Sequence, residues 1–124
     1  YLAHANDVFL VMRAVETLEG VDHFEEILQV EGLDGVFIGP MDLATSMGHF
    51  CNPSHQEVQA AIRRVEEAAL KSDKFLASVA GGMDAAREKF ERGYSLVIPF
   101  ADGGTLGAAA QRNVELFQSM FPER

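Results

Sequence analysis

Apolar and polar positions alternate along the chain in blocks that favour one kind of element after another. Val8 to Val15 is a short, continuous, largely β-branched and apolar run, which predicts a buried strand rather than an amphipathic helix. After Gly20, Asp22-His23-Phe24-Glu25 has capping-box spacing, and the short helix it opens places Phe24, Ile27 and Leu28 on one face. Gly32 ends that helix, and Leu33 to Ile38 is a second apolar run closed by Gly39-Pro40.

The pattern then repeats. Ser54-His55-Gln56-Glu57 reads as another capping box, opening a helix whose Val58, Ile62, Val65 and Ala69 recur at helical spacing. Phe75 to Ala80 predicts a third strand, Gly81-Gly82 a turn, and Asp84 the cap of a helix carrying Ala86 and Phe90 that Gly93 closes. Ser95 to Phe100 predicts the fourth strand and Leu106 to Met120 the last helix, with Val114 and Phe117 among its apolar positions. Four strand-then-helix units with nearly continuous hydrophobic strands predict one α/β domain over residues 1–124, a parallel sheet covered by helices. Both a doubly wound sheet and half of a (β/α)8 barrel fit. No Gly-x-Gly-x-x-Gly follows any strand, and a whole barrel takes about 250 residues, so half of a TIM-type barrel is preferred.

Charge narrows the partners. The 124 residues carry 10 Lys and Arg against 19 Asp and Glu, a formal charge of −9, and no basic cluster. Nucleic acid and anionic membrane surfaces are therefore poor partners. No apolar run approaches the roughly 20 residues of a membrane span. The single Cys51 has no partner for an internal disulfide, and no leader-like segment opens the chain, which together fit the cytoplasm. A chain starting at Tyr1 rather than Met suggests that a longer protein extends upstream.

In parallel α/β folds, reactive groups gather at the C-terminal ends of strands. Glu16 ends the first strand, Asp42 follows the Gly39-Pro40 turn, and Asp102 lies beyond the fourth; the first two can converge and hold a divalent cation. Two carboxylates with water completing the shell suit Mg²⁺ or Mn²⁺. Zinc is less well served, since His4, His23, His49 and His55 show no paired ligand spacing. The bland alternative makes Glu16 and Asp42 acids favoured by helix dipoles. Gly81-Gly82 and Gly103-Gly104 are expected to be ordinary turns and Asp102 structural. His49 and His55 are expected at the solvent, Cys51 as a small packed thiol, and Glu66-Glu67 as a solvated helix face.

Val15-Glu16-Thr17, the run from Val30 to Pro40, Asp42-Leu43 and Met47-Gly48, with the GVFIGPMDL segment of residues 35–43 as the most specific part, together resemble the HpcH/HpaI aldolase family, over essentially the whole chain and as the C-terminal half of that family's barrel. The resemblance implies a divalent-metal aldolase, with Mg²⁺, Mn²⁺ or Co²⁺. Such an enzyme cleaves 4-hydroxy-2-oxo acids to pyruvate and an aldehyde through a metal-stabilised enolate. Glu16 and Asp42 would hold the metal, while Gly39 and the backbone at Met41 and Asp42 would meet the substrate. It also implies a homo-oligomer, plausibly a hexamer. Ala14 stands where many members have glutamine, and Arg13 should point away from the barrel interior. The family's arginine and base-associated histidine lie in its other half, so no certain catalytic residue is expected here and this chain alone is expected to be inactive. Two alternatives are an acyl-CoA lyase of the wider citrate-lyase-like group and a non-catalytic half-barrel acting through assembly.

Overall fold

The computed structural model describes His4 and residues 7–122. Its strands are β1 (Met12–Val15), β2 (Gly35–Ile38), β3 (Phe75–Val79) and β4 (Leu96–Ile98), all parallel and hydrogen-bonded in the order β1-β2-β3-β4. Sequential order decides between the two architectures. A doubly wound sheet reverses its strand order at a switch point, whereas a barrel adds each strand beside the last. The four units therefore form half of a (β/α)8 barrel.

The helices are α1 (Leu18–Asp22), α2 (Phe24–Leu28), α3 (Pro40–Ser46), α4 (Gln56–Leu70), α5 (Met83–Glu91) and α6 (Asp102–Met120). The core lies on the helix side of the sheet, because alternation along each strand sends Val36, Ile38 and Leu76 toward the helices. Val58, Ile62, Val65 and Ala69 of α4 are buried against them, as their spacing predicts. Ser78 is buried on the same side and donates to the Ile38 carbonyl at 2.9 Å, so its hydroxyl costs nothing unsatisfied.

The opposite face, which lines a closed barrel, is only partly covered: Ala77 is buried and Phe37 half-buried. Phe75, Val79, Leu96 and Ile98 are all exposed there, and β1 and β4 are both edges. Arg13 stands in register with the helix-facing Val36, hence away from this face, while Ala14 stands beside Phe37 on it.

Several elements differ from expectation, each for a local reason. The first strand is Met12–Val15 rather than Val8 to Val15, because pairing begins only where Val11 meets Asp34 and Gly35, and Val8, Phe9 and Leu10 remain exposed. Gly39-Pro40 does not end in a loop: Pro40 opens α3, where its missing N–H is no loss. Asp22 does not cap a helix. Thr17 accepts from the Gly20 amide at 3.0 Å as the cap of α1, while Asp22 ends α1 and pairs with Arg64 at 2.9 Å. His55, not Ser54, caps α4, and Gly82, not Asp84, precedes α5 at φ +120°. Gly103-Gly104 lies inside the first turn of α6 rather than in a turn, and α6 starts four residues before Leu106. No residue of α6 is buried.

Candidate metal site at the strand ends

Because β1 and β2 are neighbours, their C-terminal ends bring Glu16 beside the start of α3. Residues Val15 and Ile38 are in register, so Glu16 and Gly39 each stand one step beyond the sheet. The Glu16 side chain lies directly on the Gly39 backbone: a Cβ at position 39 would meet Glu16 Cγ and Oε1 at 2.7 Å each. Only glycine leaves room for the carboxylate there. The close approach expected of Gly39 is thus made by the protein's own acid.

Asp42 is in the first turn of α3 and exposed. Among the described residues neither Glu16 nor Asp42 has a hydrogen-bond or ion-pair partner. The first helical bond of α3 runs from Leu43 N to Gly39 O, Pro40 has no N–H, and the Met41 and Asp42 amides donate to no protein group among the described residues. Two uncompensated carboxylates and two free amides therefore share one corner of the sheet. The donor set is all oxygen, which fits a hard cation such as Mg²⁺ or Mn²⁺. Asp102 is farther along, the first residue of α6, where its carboxylate accepts from the Gly103 amide at 2.7 Å.

Beside this corner, a cleft of about 670 Å³ is lined by Pro40, Met41 and Gly81 and by Glu66, Lys89 and Arg92. Glu66 is not a solvated residue. It is 6% exposed, and it accepts from both the Arg92 guanidinium and the Tyr94 hydroxyl. Burial and the adjacent Glu66 carboxylate push the Tyr94 phenol far above its ordinary ionisation. Lys89 lies 4.4 Å from the Tyr94 ring centroid, and its ammonium is held below the usual lysine range, first by burial and then by Arg92, with Glu66 opposing. Periodicity alone could not reveal this group, since its members come from α4 and α5 and the turn after α5.

His49 and His55 are half-buried rather than at the solvent, stacked with ring centroids 3.5 Å apart, and His49 Nε2 lies 2.9 Å from Glu57 Oε2. That contact holds the Glu57 carboxyl below its ordinary range. Cys51, in contrast, is exposed at φ 56° and not packed. No described helix is long and apolar enough to cross a membrane.

A family model described as HpcH/HpaI aldolase/citrate lyase matches residues 3–107. Among curated relatives, a 5-keto-4-deoxy-D-glucarate aldolase of Klebsiella pneumoniae is 37% identical over 118 residues, 95% of this chain and 46% of the relative. A 4-hydroxy-2-oxo-heptane-1,7-dioate aldolase of Escherichia coli is 40% identical over 111 residues, 90% of this chain and 42% of the relative. The crystal structure of an HpcH/HpaI aldolase/citrate lyase family protein from Burkholderia cenocepacia superposes with a TM-score of 0.85 at 36% identity, covering 95% of this chain and 46% of that one. The chain thus spans about half the length of the relatives it matches.

Proposed function

The chain belongs to the HpcH/HpaI aldolase/citrate lyase family, and we propose that it supplies the metal-holding half of a carbon–carbon lyase that cleaves 4-hydroxy-2-oxo acids to pyruvate and an aldehyde. The observation that carries this reading is the Glu16 carboxylate seated on Gly39, one helical turn from Asp42, with no cationic partner for either acid among the described residues. Relatives named as aldolases for two hydroxy-oxo acids support the reaction class.

Glu16 and Asp42 would hold Mg²⁺ or Mn²⁺, with Co²⁺ as a further candidate. An ion held there would supply Lewis-acid stabilisation of negative charge on a 2-oxo acid substrate. Gly39 keeps Glu16 in place by offering no side chain. The unpaired Met41 and Asp42 amides face the same corner and would donate to the substrate carboxylate, fixing the pyruvate end. Phe37, Phe75 and Val79 give the barrel side of the site an apolar wall. Among the described residues the acid–base group that handles the 4-hydroxyl proton has no candidate at this corner, so the chain alone should not turn over. The incompletely covered inner face is consistent with a partner half and with homo-oligomeric assembly.

A lactate dehydrogenase-coupled assay of pyruvate release tests this, using the chain joined to the four β/α units that complete a barrel. Release should stop with EDTA, return with Mg²⁺ or Mn²⁺, and fall sharply in Glu16→Gln. Chelator-resistant release, or borohydride trapping of a lysine adduct, would show a Schiff-base enzyme instead.

A further inference from the structure

We propose that His49, His55 and Glu57 form a second cation site, for a divalent transition metal of the zinc, cobalt or nickel class, separate from the Glu16–Asp42 pair. One ligand atom from each of the three residues lies within 4.8 Å of the others. They come from the loop between α3 and α4 and from the first turn of α4, a local cluster that the turn before α4 folds together.

The donor set distinguishes this site from the first. Imidazole nitrogen suits zinc, cobalt and nickel, whereas an all-carboxylate pair with water suits magnesium and manganese. Two histidines and one glutamate with a fourth position open to water is a recurrent zinc ligand set. In a tetrahedral zinc site, ligand atoms stand roughly 3.3 Å apart, given metal–nitrogen bonds of about 2.0–2.1 Å. The 4.8 Å spread must therefore close by about 1.5 Å, which side-chain rotation can supply. The movable part is present: the Glu57 side chain is 70% exposed, while the His49 side chain is 23% exposed and sits on a fixed backbone whose amide donates to Ala44 O at 2.7 Å.

The two rings are stacked at an interplanar angle of 16°, so one must turn for both nitrogens to meet an ion. What holds His55 is weak. Its Nδ1 accepts the Glu57 amide at 3.3 Å, at the long end for a hydrogen bond. Giving up that bond costs little against two metal–nitrogen bonds. His49 Nε2 already lies 2.9 Å from Glu57 Oε2, so two of the three ligands are oriented toward each other before any ion arrives. An ion there would tie the end of α3 to the start of α4, bracing the helix that carries Asp42.

The test is calorimetric titration of the untagged chain with Zn²⁺, with Co²⁺ as a spectroscopic reporter of nitrogen ligation. With Mg²⁺ in excess to occupy the Glu16–Asp42 pair, one equivalent of Zn²⁺ should bind. Losing an outer-shell partner alone typically weakens metal affinity roughly 10–100-fold, so His49→Ala and His55→Ala should each weaken it at least that much. Glu16→Gln with Asp42→Asn, Cys51→Ser and His23→Gln should each leave Zn²⁺ affinity unchanged, and circular dichroism of each metal-free variant should match the wild type. The proposal is overturned by a wild-type chain that takes up no Zn²⁺, by folded histidine variants that keep their affinity, or by loss of binding in any of the three controls.

Discussion

Replacing Gly39 by alanine isolates the packing that seats Glu16. The new Cβ would lie 2.7 Å from Glu16 Cγ and Oε1 and 3.1 Å from Cδ, where nonbonded carbons settle at about 3.5–4.0 Å. The overlap is thus roughly 1 Å, and the acid must move by about that much. Gly39 has φ −98° and ψ 89°, outside the left-handed region, so alanine adopts its backbone without strain. Displacement of the carboxylate is the main effect. Since Mg²⁺ takes its ligands at about 2.0–2.1 Å, a shift near 1 Å would take Glu16 out of reach of an ion that it was to share with Asp42. Mn²⁺ affinity of the chain, measured by electron paramagnetic resonance of the free ion, should fall about 10–100-fold, or roughly 1.4–2.8 kcal/mol. Urea unfolding should change by less than about 1 kcal/mol, because Glu16 sits at the rim and can turn outward.

Gly35 supplies the contrast, because its added Cβ would meet Phe75 Cβ at 2.8 Å and the Phe75 carbonyl at 2.9 Å, across the β2–β3 ladder. Backbone cannot swing aside, so Gly35→Ala should cost about 1–3 kcal/mol by overpacking while leaving Mn²⁺ affinity intact. Glu16→Gln, which keeps the volume and removes the charge, should match Gly39→Ala in metal binding. Wild-type Mn²⁺ affinity in Gly39→Ala would refute the reasoning, and so would equal loss in Gly35→Ala.

Three further outcomes follow from the same geometry. Glu66→Ala strands the Tyr94 hydroxyl and the half-exposed Arg92, and urea unfolding should show it less stable by about 2–4 kcal/mol, against under about 1 kcal/mol for the exposed Glu67→Ala; equal effects would contradict a buried network. Lys89 is held below its ordinary range by burial, so its neutral form appears at lower pH than that of an ordinary lysine, and its mass-spectrometric acylation should start earlier as pH rises than that of a lysine in a short peptide; coincident profiles would exclude the shift. The sign for stability is that folding disfavours the charged amine, so this contribution grows as pH rises from the depressed folded value toward the ordinary lysine value of 10.5. Because Phe75, Val79, Leu96 and Ile98 are uncovered, the chain alone should self-associate or bind a hydrophobic dye on size-exclusion chromatography, and a monodisperse, dye-silent monomer would contradict the open inner face.

How much of this was legible in the sequence depends on how local the signal is. Strand centres and the α4 stripe were legible because burial on one face imposes period on neighbouring residues. Helix starts were less so: Asp22 has the chemistry of a cap, yet Thr17 already fills that role five residues earlier, and the Asp22 carboxylate instead reaches Arg64. Gly39-Pro40 signals a break equally well whether a loop or a helix follows. Glu66 looks like any acid on a helix face until α5 brings Arg92 and Tyr94 over it. Glu16 and Asp42 were legible as strand-end acids, but that Glu16 rests on Gly39 depends on β1–β2 adjacency, which no local pattern encodes.

That adjacency also explains why closing the barrel would matter for chemistry as well as stability. Glu16 and Asp42 stand at the rim of a sheet whose inner face is open, in a chain of formal charge −9, so water and mobile ions reach them freely. Two unit charges about 4 Å apart interact by about 1 kcal/mol in bulk water and about 4 kcal/mol at the effective dielectric of a protein surface. A charge placed at this corner would therefore act severalfold more strongly once Phe37, Phe75 and Val79 are covered. The same apolar wall that makes the separate half prone to association is the one that, covered, dries the site. On this reasoning Glu16 and Asp42 at the β1–β2 corner would act on a bound charge with much greater electrostatic force if the inner face of the sheet were covered.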